Sequence, residues 1–139
     1  MHVWTPKPSA TTQNDATYLV SPGNYEQFVL PFERQMSKSV TCLVYHCHNT
    51  STHILPSVAC ISELMAIQMT VDPNGPPWEN QRQAIAQLQE NKPVVLSFWS
   101  ISDADRAIKE LNPRGLAITL NVKVKDEDPG DISLEEYIG

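Results

Sequence analysis

KPVVLSFWSISDADRAIKELNPRGLAITLNVKVK, residues 92–125, reads as strand, helix, strand, with a punctuation mark at each joint. Val94, Val95, Leu96, Phe98, Trp99 and Ile101 form an apolar run of β-branched and aromatic residues, which suit a packed, pleated surface. The run is too short for an independent helix. Ser102 or Asp103 stands where a helix N-cap belongs, its oxygen able to accept from free backbone N–H groups. Ala104, Ala107, Ile108 and Leu111 follow at helical spacing. Asp103 and Asp105 lie near the positive end of the helix dipole and Lys109 nearer the negative end. Pro113 stops the helix at Asn112, and Gly115 allows a turn. Leu116, Ile118, Leu120, Val122 and Val124 then alternate with Ala117, Thr119, Asn121, Lys123 and Lys125, the period of a strand with one buried face. The two strands are expected to share a sheet with the helix laid across it.

Leu96, Phe98, Asp103, Ala104, Ala107, Ile108, Leu111 and Asn112 make the pattern Leu-x-Phe, Asp-Ala, Ala-Ile, Leu-Asn at fixed intervals. In this, residues 92–125 resemble the second half of an RNA-recognition motif. The resemblance implies a ferredoxin-like sheet backed by helices, and single-stranded RNA stacked on sheet aromatics. In register with that family, the two stacking positions fall at Pro93 and Val95, which offer no π-face. Asn91 and Lys92 replace the family's Lys/Arg-Gly opening, and Trp99 falls on the outer face with Val95.

Upstream, Tyr18, Leu19 and Val20 suggest a short strand closed by Ser21-Pro22-Gly23-Asn24, a strong turn signal. Tyr25, Phe28, Val29 and Phe32 sit at helical spacing and read as a core stripe. SVTCLVYHCH, residues 39–48, reads as a strand with Val40, Cys42, Val44, His46 and His48 on one face. Pro56 opens what reads as a buried helix carrying Val58, Ile61, Leu64, Met65 and Gln68 along one side. Asp72-Pro73-Asn74-Gly75-Pro76-Pro77 is the strongest loop signal in the chain. Residues 78–91 read as a surface helix docked through Ile85 and Leu88. The expected fold is therefore α+β: a small, mostly antiparallel sheet with helices on one face, ferredoxin-like in its C-terminal half. Residues 1–17, with Pro6 and Pro8, read as a polar N-terminal arm anchored by Trp4. Residues 18–125 read as one domain and 126–139 as an acidic tail.

A chain of 139 residues, 41% hydrophobic and 19% charged, suits a soluble globular domain. Its formal charge of −6 lacks the phosphate-neutralising surface of a general nucleic-acid binder. No apolar run approaches membrane-spanning length, no secretory leader is visible, and three cysteines suggest no disulfide framework. A cytoplasmic protein is expected. No Gly-rich phosphate loop or nucleophile motif appears, and neither a cofactor nor a catalytic residue is assigned.

The leading functional expectation is a non-enzymatic protein-interaction module, an adaptor, inhibitor or accessory protein. Its binding residues would be Val95 and Trp99 on the sheet and Leu134 and Tyr137 in the tail. An exposed sheet edge would also suit pairing with a second copy. One alternative is single-stranded RNA binding through the RRM-like sheet. Another is zinc-dependent hydrolysis. Cys42, His46, Cys47, His48, His53 and Cys60 crowd one stretch, and His46 and His48 on a strand point the same way. His46, His48 and His53 would then be the ligands, although the spacing matches no structural zinc pattern.

Overall fold

The computed structural model describes residues 7–121. Five strands, β1 (Ser9–Gln13), β2 (Cys42–His48), β3 (Leu64–Thr70), β4 (Val94–Phe98) and β5 (Leu116–Leu120), form one sheet in chain order. Every neighbouring pair is parallel. The mostly antiparallel, ferredoxin-like α+β sheet expected from the sequence is overturned: this is an α/β fold.

The error lies in residues 64–70. LMAIQMT carries apolar residues on both sides, and Ala66, Ile67, Gln68 and Met69 are all buried. A parallel strand buried on both faces shows no clean alternation. Read after Pro56, it continued the apolar stripe of a helix. The true helix there, α3 (Leu55–Ala59), ends before Cys60, and β3 begins four residues later. Parallel neighbours need a crossover, and each connection supplies one. Short turns with α1 (Pro22–Asn24) and α2 (Leu30–Ser37) join β1 to β2. A 3-10 segment (Asn49–Ile54) with α3 joins β2 to β3, α4 (Trp78–Gln89) joins β3 to β4, and α5 (Ile101–Glu110) joins β4 to β5.

Each crossover moves one place in the same direction. Right-handed connections of that kind put all helices on one face. The core agrees: Leu43, Tyr45 and Cys47 of β2, Ile67 and Met69 of β3, and Val94, Leu96 and Phe98 of β4 pack with Tyr25, Leu30, Leu55, Val58, Ile85, Leu88 and Ala107. Cys42, Val44 and Ala66 are buried but stand outside that cluster, on the second face.

Smaller expectations change too. Residues 9–13, read as part of an arm, form the edge strand β1, and Tyr18 and Leu19 belong to a 3-10 turn. Of the aromatic stripe only Tyr25 is fully buried, while Phe28 and Phe32 are exposed. Pro31 accounts for the twist of that face. It lacks an N–H and crowds the preceding turn, and the chain widens there into a π turn, with the Leu30 N–H reaching the Tyr25 carbonyl. Downstream, Ser100 rather than Ser102 or Asp103 caps α5, accepting from the Asp103 N–H at 3.3 Å. Gly115, at φ +72, makes the predicted turn into β5. No helix among the described residues is long and apolar enough to cross a membrane.

Glu33 of α2 is buried. The Tyr25 hydroxyl and the Asn14 amide, the latter at 3.2 Å, donate to its carboxyl. Burial pushes the Glu33 carboxyl above its usual range, although both donors favour its charged form. A raised folded-state value means that the stabilising contribution is fully present below the ordinary glutamate range and is lost as pH rises through the raised value. Glu33→Gln, which keeps the shape without the charge, should flatten that part of the stability–pH profile. Urea unfolding from pH 4 to 8 measures it, and an unchanged slope would contradict the assignment.

Candidate metal centre

Parallel strands in register bring like positions side by side. His48 of β2 pairs with Thr70 of β3, Thr70 with Ser97 of β4, and Ser97 with Thr119 of β5. One step back, Gln13 pairs with His46 and His46 with Gln68. All lie toward the carboxyl ends of their strands, on the face away from the helix-side core. That end is where open α/β sheets bind ligands. Asp15, two residues beyond β1, joins the row from its edge.

Asp15, His46 and His48 bring one donor atom each to a common point. The two Nε2 atoms are 3.4 Å apart. Asp15 Oδ1 stands 3.9 Å from the Nε2 of His46 and 3.7 Å from that of His48. The rings meet edge to face with centroids 5.1 Å apart, so their Nε2 corners are the near approach. A point equidistant from the three atoms lies about 2.1 Å from each, the length of a zinc–nitrogen bond. Asp15 is itself oriented, because the Gln13 amide donates to its other oxygen, Oδ2, at 2.8 Å.

Hydrogen bonds behind the imidazoles fix which nitrogen is bare. His48 Nδ1 lies 2.6 Å from Asp72 Oδ2, so Nδ1 carries the proton and donates to the carboxylate. His46 Nδ1 meets Gln68 Oε1. The direction of that contact is set from the far side of the sheet. Ser97 Oγ and Thr119 Oγ1 share a hydrogen bond of 2.7 Å, and Thr119 Oγ1 lies 3.5 Å from the Leu96 carbonyl. Ser97 Oγ accepts from Gln68 Nε2 at 2.9 Å, and Gln68 presents its oxygen to His46. His46 Nδ1 therefore donates. In the neutral imidazoles both Nε2 atoms present lone pairs to each other and to a carboxylate oxygen, with no hydrogen between them. Three donor atoms converging in this way could hold a cation between them. Carboxylate and amide partners on the remote nitrogens are the usual outer support of metal-bound histidines.

The loop bearing Asp72 is placed by backbone contacts. Gly75 donates to the Asp72 carbonyl at 3.0 Å, and Gly75 presses against the buried Asn49 side chain so closely that no Cβ would fit.

Of the expected ligands, His46 and His48 are brought together and His53 is not. The His53 Nε2 donates to the Val20 carbonyl at 2.9 Å, and Asp15 takes the third place. Sequence reading missed Asp15 because 1–17 looked like an arm, and missed Asp72 because 64–70 looked helical. The signal for Asp72 was present: two residues past a parallel strand adjoining His46-x-His48. Cys47 faces the helices, where its Sγ lies 3.7 Å from the Gln68 carbonyl. Burial, with help from Asp15 and Glu33, pushes its thiol up to about 12, so it supplies no thiolate near neutrality. Of the expected binding residues, Val95 is half-buried in β4 and Trp99 is exposed just beyond it. The cleft that Trp99 lines does not include Val95. Leu134, Tyr137 and the acidic segment 126–139 lie outside the described residues. A larger cavity of about 520 Å3 opens between β1 and α2, but Phe28, Val29, Phe32, Met36 and Leu43 make it largely apolar, and among the described residues Glu33 is its one titratable lining group.

No protein-family model, curated protein or solved structure matches this chain.

Removing the amide behind His46 frees that ring to rotate and to change tautomer. Gln68→Met should therefore weaken zinc binding by about 10–100-fold. Competition titration against a chromophoric chelator reads this directly, and undiminished affinity would sever the link between the polar row and the centre.

Proposed function

We propose that this protein is a hydrolase that activates water on a divalent metal ion, zinc on the evidence of its donor set, at the carboxyl ends of β1 and β2. The observation that carries the reading is the meeting of two imidazole Nε2 atoms and one carboxylate oxygen, each side chain oriented by its own hydrogen bond. Two imidazoles and one carboxylate suit zinc better than magnesium or calcium, which favour oxygen ligands. Three protein ligands leave a coordination position open, the pattern of catalytic rather than structural zinc. An ion so held would supply an acidified water as nucleophile and would polarise a carbonyl or phosphoryl oxygen.

The protein's own residues supply the rest. Asp72 fixes the His48 ring, with its Nε2 turned toward the ion's place. Gln68, backed by Ser97 and Thr119, does the same for His46 without adding charge. Asp15 is half exposed, and His46 and His48 are partly so. The centre is therefore open to solvent and substrate rather than sealed. This reading takes two of the three histidines of the hydrolase alternative and replaces the third.

Protein purified without a polyhistidine tag should bind one zinc ion per chain, and ester or phosphoester hydrolysis should disappear on chelation and return with zinc. Asp15→Ala and His48→Ala should each lose both the metal and the activity. Zinc at about 100 times its dissociation constant should stabilise the wild type by about 2.7 kcal/mol and leave His48→Ala unmoved. Clearly substoichiometric zinc in calorimetric titration would overturn the proposal.

A further inference from the structure

The outer edge of β1 is the least guarded border of the sheet. Among the described residues β1 pairs with β2 alone. Its sequence, SATTQ, carries neither charge nor proline, and its side chains are exposed apart from the half-covered Thr12. Edge strands are usually protected from further pairing by a charge, a proline or a bulge.

An apolar stripe runs beside this edge. The π turn and α2 carry Phe28, Phe32 and Met36 at intervals of four, one side of a helical surface. They are 60%, 66% and 46% exposed, and with β1 they line the cavity of about 520 Å3. Aromatic residues and Met are enriched at the centres of protein interfaces, and Lys, Glu and Asp are depleted there. Of the described residues lining this cavity Glu33 alone is titratable, and it is buried. The helix that leads to the opposite edge is different: α5 presents the ion pair of Lys109 with Asp105 at 2.6 Å.

We infer that this edge joins a second copy of the chain, β1 pairing antiparallel with itself about a two-fold axis through Thr11. A two-fold contact uses the same patch from both copies, and an antiparallel strand on an otherwise parallel sheet is common. In this register Ser9 of each copy lies opposite Gln13 of the other, and Thr11 lies opposite its own copy. Lys7 falls opposite Asp15. Asp15 turns Oδ1 to the histidines but is half exposed, so each end of the ribbon joins a cation to an anion. The axis stands perpendicular to the sheet, because that axis reverses the strand while keeping it in the same sheet. Both sets of helices therefore stay on one face. Each α2 meets its copy across the axis, so that the two stripes cover each other and close both cavities. The metal centres lie on the opposite face, and the inference does not rest on them.

Sedimentation equilibrium of the full chain over about 1–100 µM, the range of moderate affinities, should show a monomer–dimer equilibrium. Thr11→Lys sets two like charges directly opposite each other at a side chain that is exposed in the single chain. It should abolish the dimer and leave the circular dichroism spectrum unchanged. Phe32→Ser should raise the dissociation constant at least tenfold. Thr11→Cys, in a Cys60→Ser background that removes the exposed thiol, should form an intermolecular disulfide on oxidation, since directly opposite Cβ atoms lie about 4.5–5.5 Å apart. Ala117→Cys, on β5 at the other edge, should not. A monomer throughout that range would overturn the inference, as would a dimer that survives Thr11→Lys or cross-links through position 117 instead. Association that appears only after residues 1–6 are removed would assign the edge to those residues and overturn it as well. Zinc titration is a separate readout, so failure of the metal reading would leave this one standing.

Discussion

Parallel pairing of β2 with β3 is the constraint on which the rest of the structure depends. It places His48 beside Thr70 and His46 beside Gln68. It thereby delivers Asp72, two residues on, to the His48 ring. An antiparallel pair would run β3 the other way and carry Asp72 to the far end of the sheet. Each imidazole would then have lost its backing. The chain-order sheet extends the same logic outward: His48, Thr70, Ser97 and Thr119 line up across four strands at one end, with Gln13, His46 and Gln68 side by side behind them. The crossovers determine this as much as the strands do. With all helices packed on one face, the other is left to a line of hydroxyl, amide and imidazole groups.

Much of the local structure was written plainly in the residues. The β4–α5–β5 unit, the turn at Gly115 and the helix that opens at Trp78 all follow from periodicity and from the prolines and glycines between the elements. The convergence of His46 and His48 follows from a period of two. The global arrangement was hidden by one segment. Leu64, Met65 and Gln68 fitted a helical stripe because a strand covered on both sides has no polar face to advertise its pleat. Mistaking that strand removed a parallel partner from β2 and left the histidines with no visible support. Asp15 was hidden for a different reason. Ser9 to Gln13 carries small polar residues with no apolar face, as an edge strand can, and nothing short of the sheet itself marks it as part of the fold.

The polar row also shows how a neutral residue can set the chemistry of a charged one. Gln68 is 2% exposed and carries no charge. Its amide links Ser97 on one neighbouring strand to an imidazole on the other. A carboxylate in its place would bind the His46 proton more strongly but would bring another negative charge into the buried sheet. The amide gives direction at a lower desolvation cost. Asp72, at the solvated end of the row, can carry its charge because water reaches it.

The first strand joins the sheet along one side only, and Thr12 alone among its side chains is partly covered. Asp15 hangs directly from it, while the imidazoles belong to its neighbour. An ion held by all three would bridge the seam between them as a rivet bridges two plates. Loss of that rivet would loosen the border of the molecule and bare the backbone of the second strand to any extended chain that came by. In such a protein the supply of metal would govern colloidal behaviour as well as chemistry.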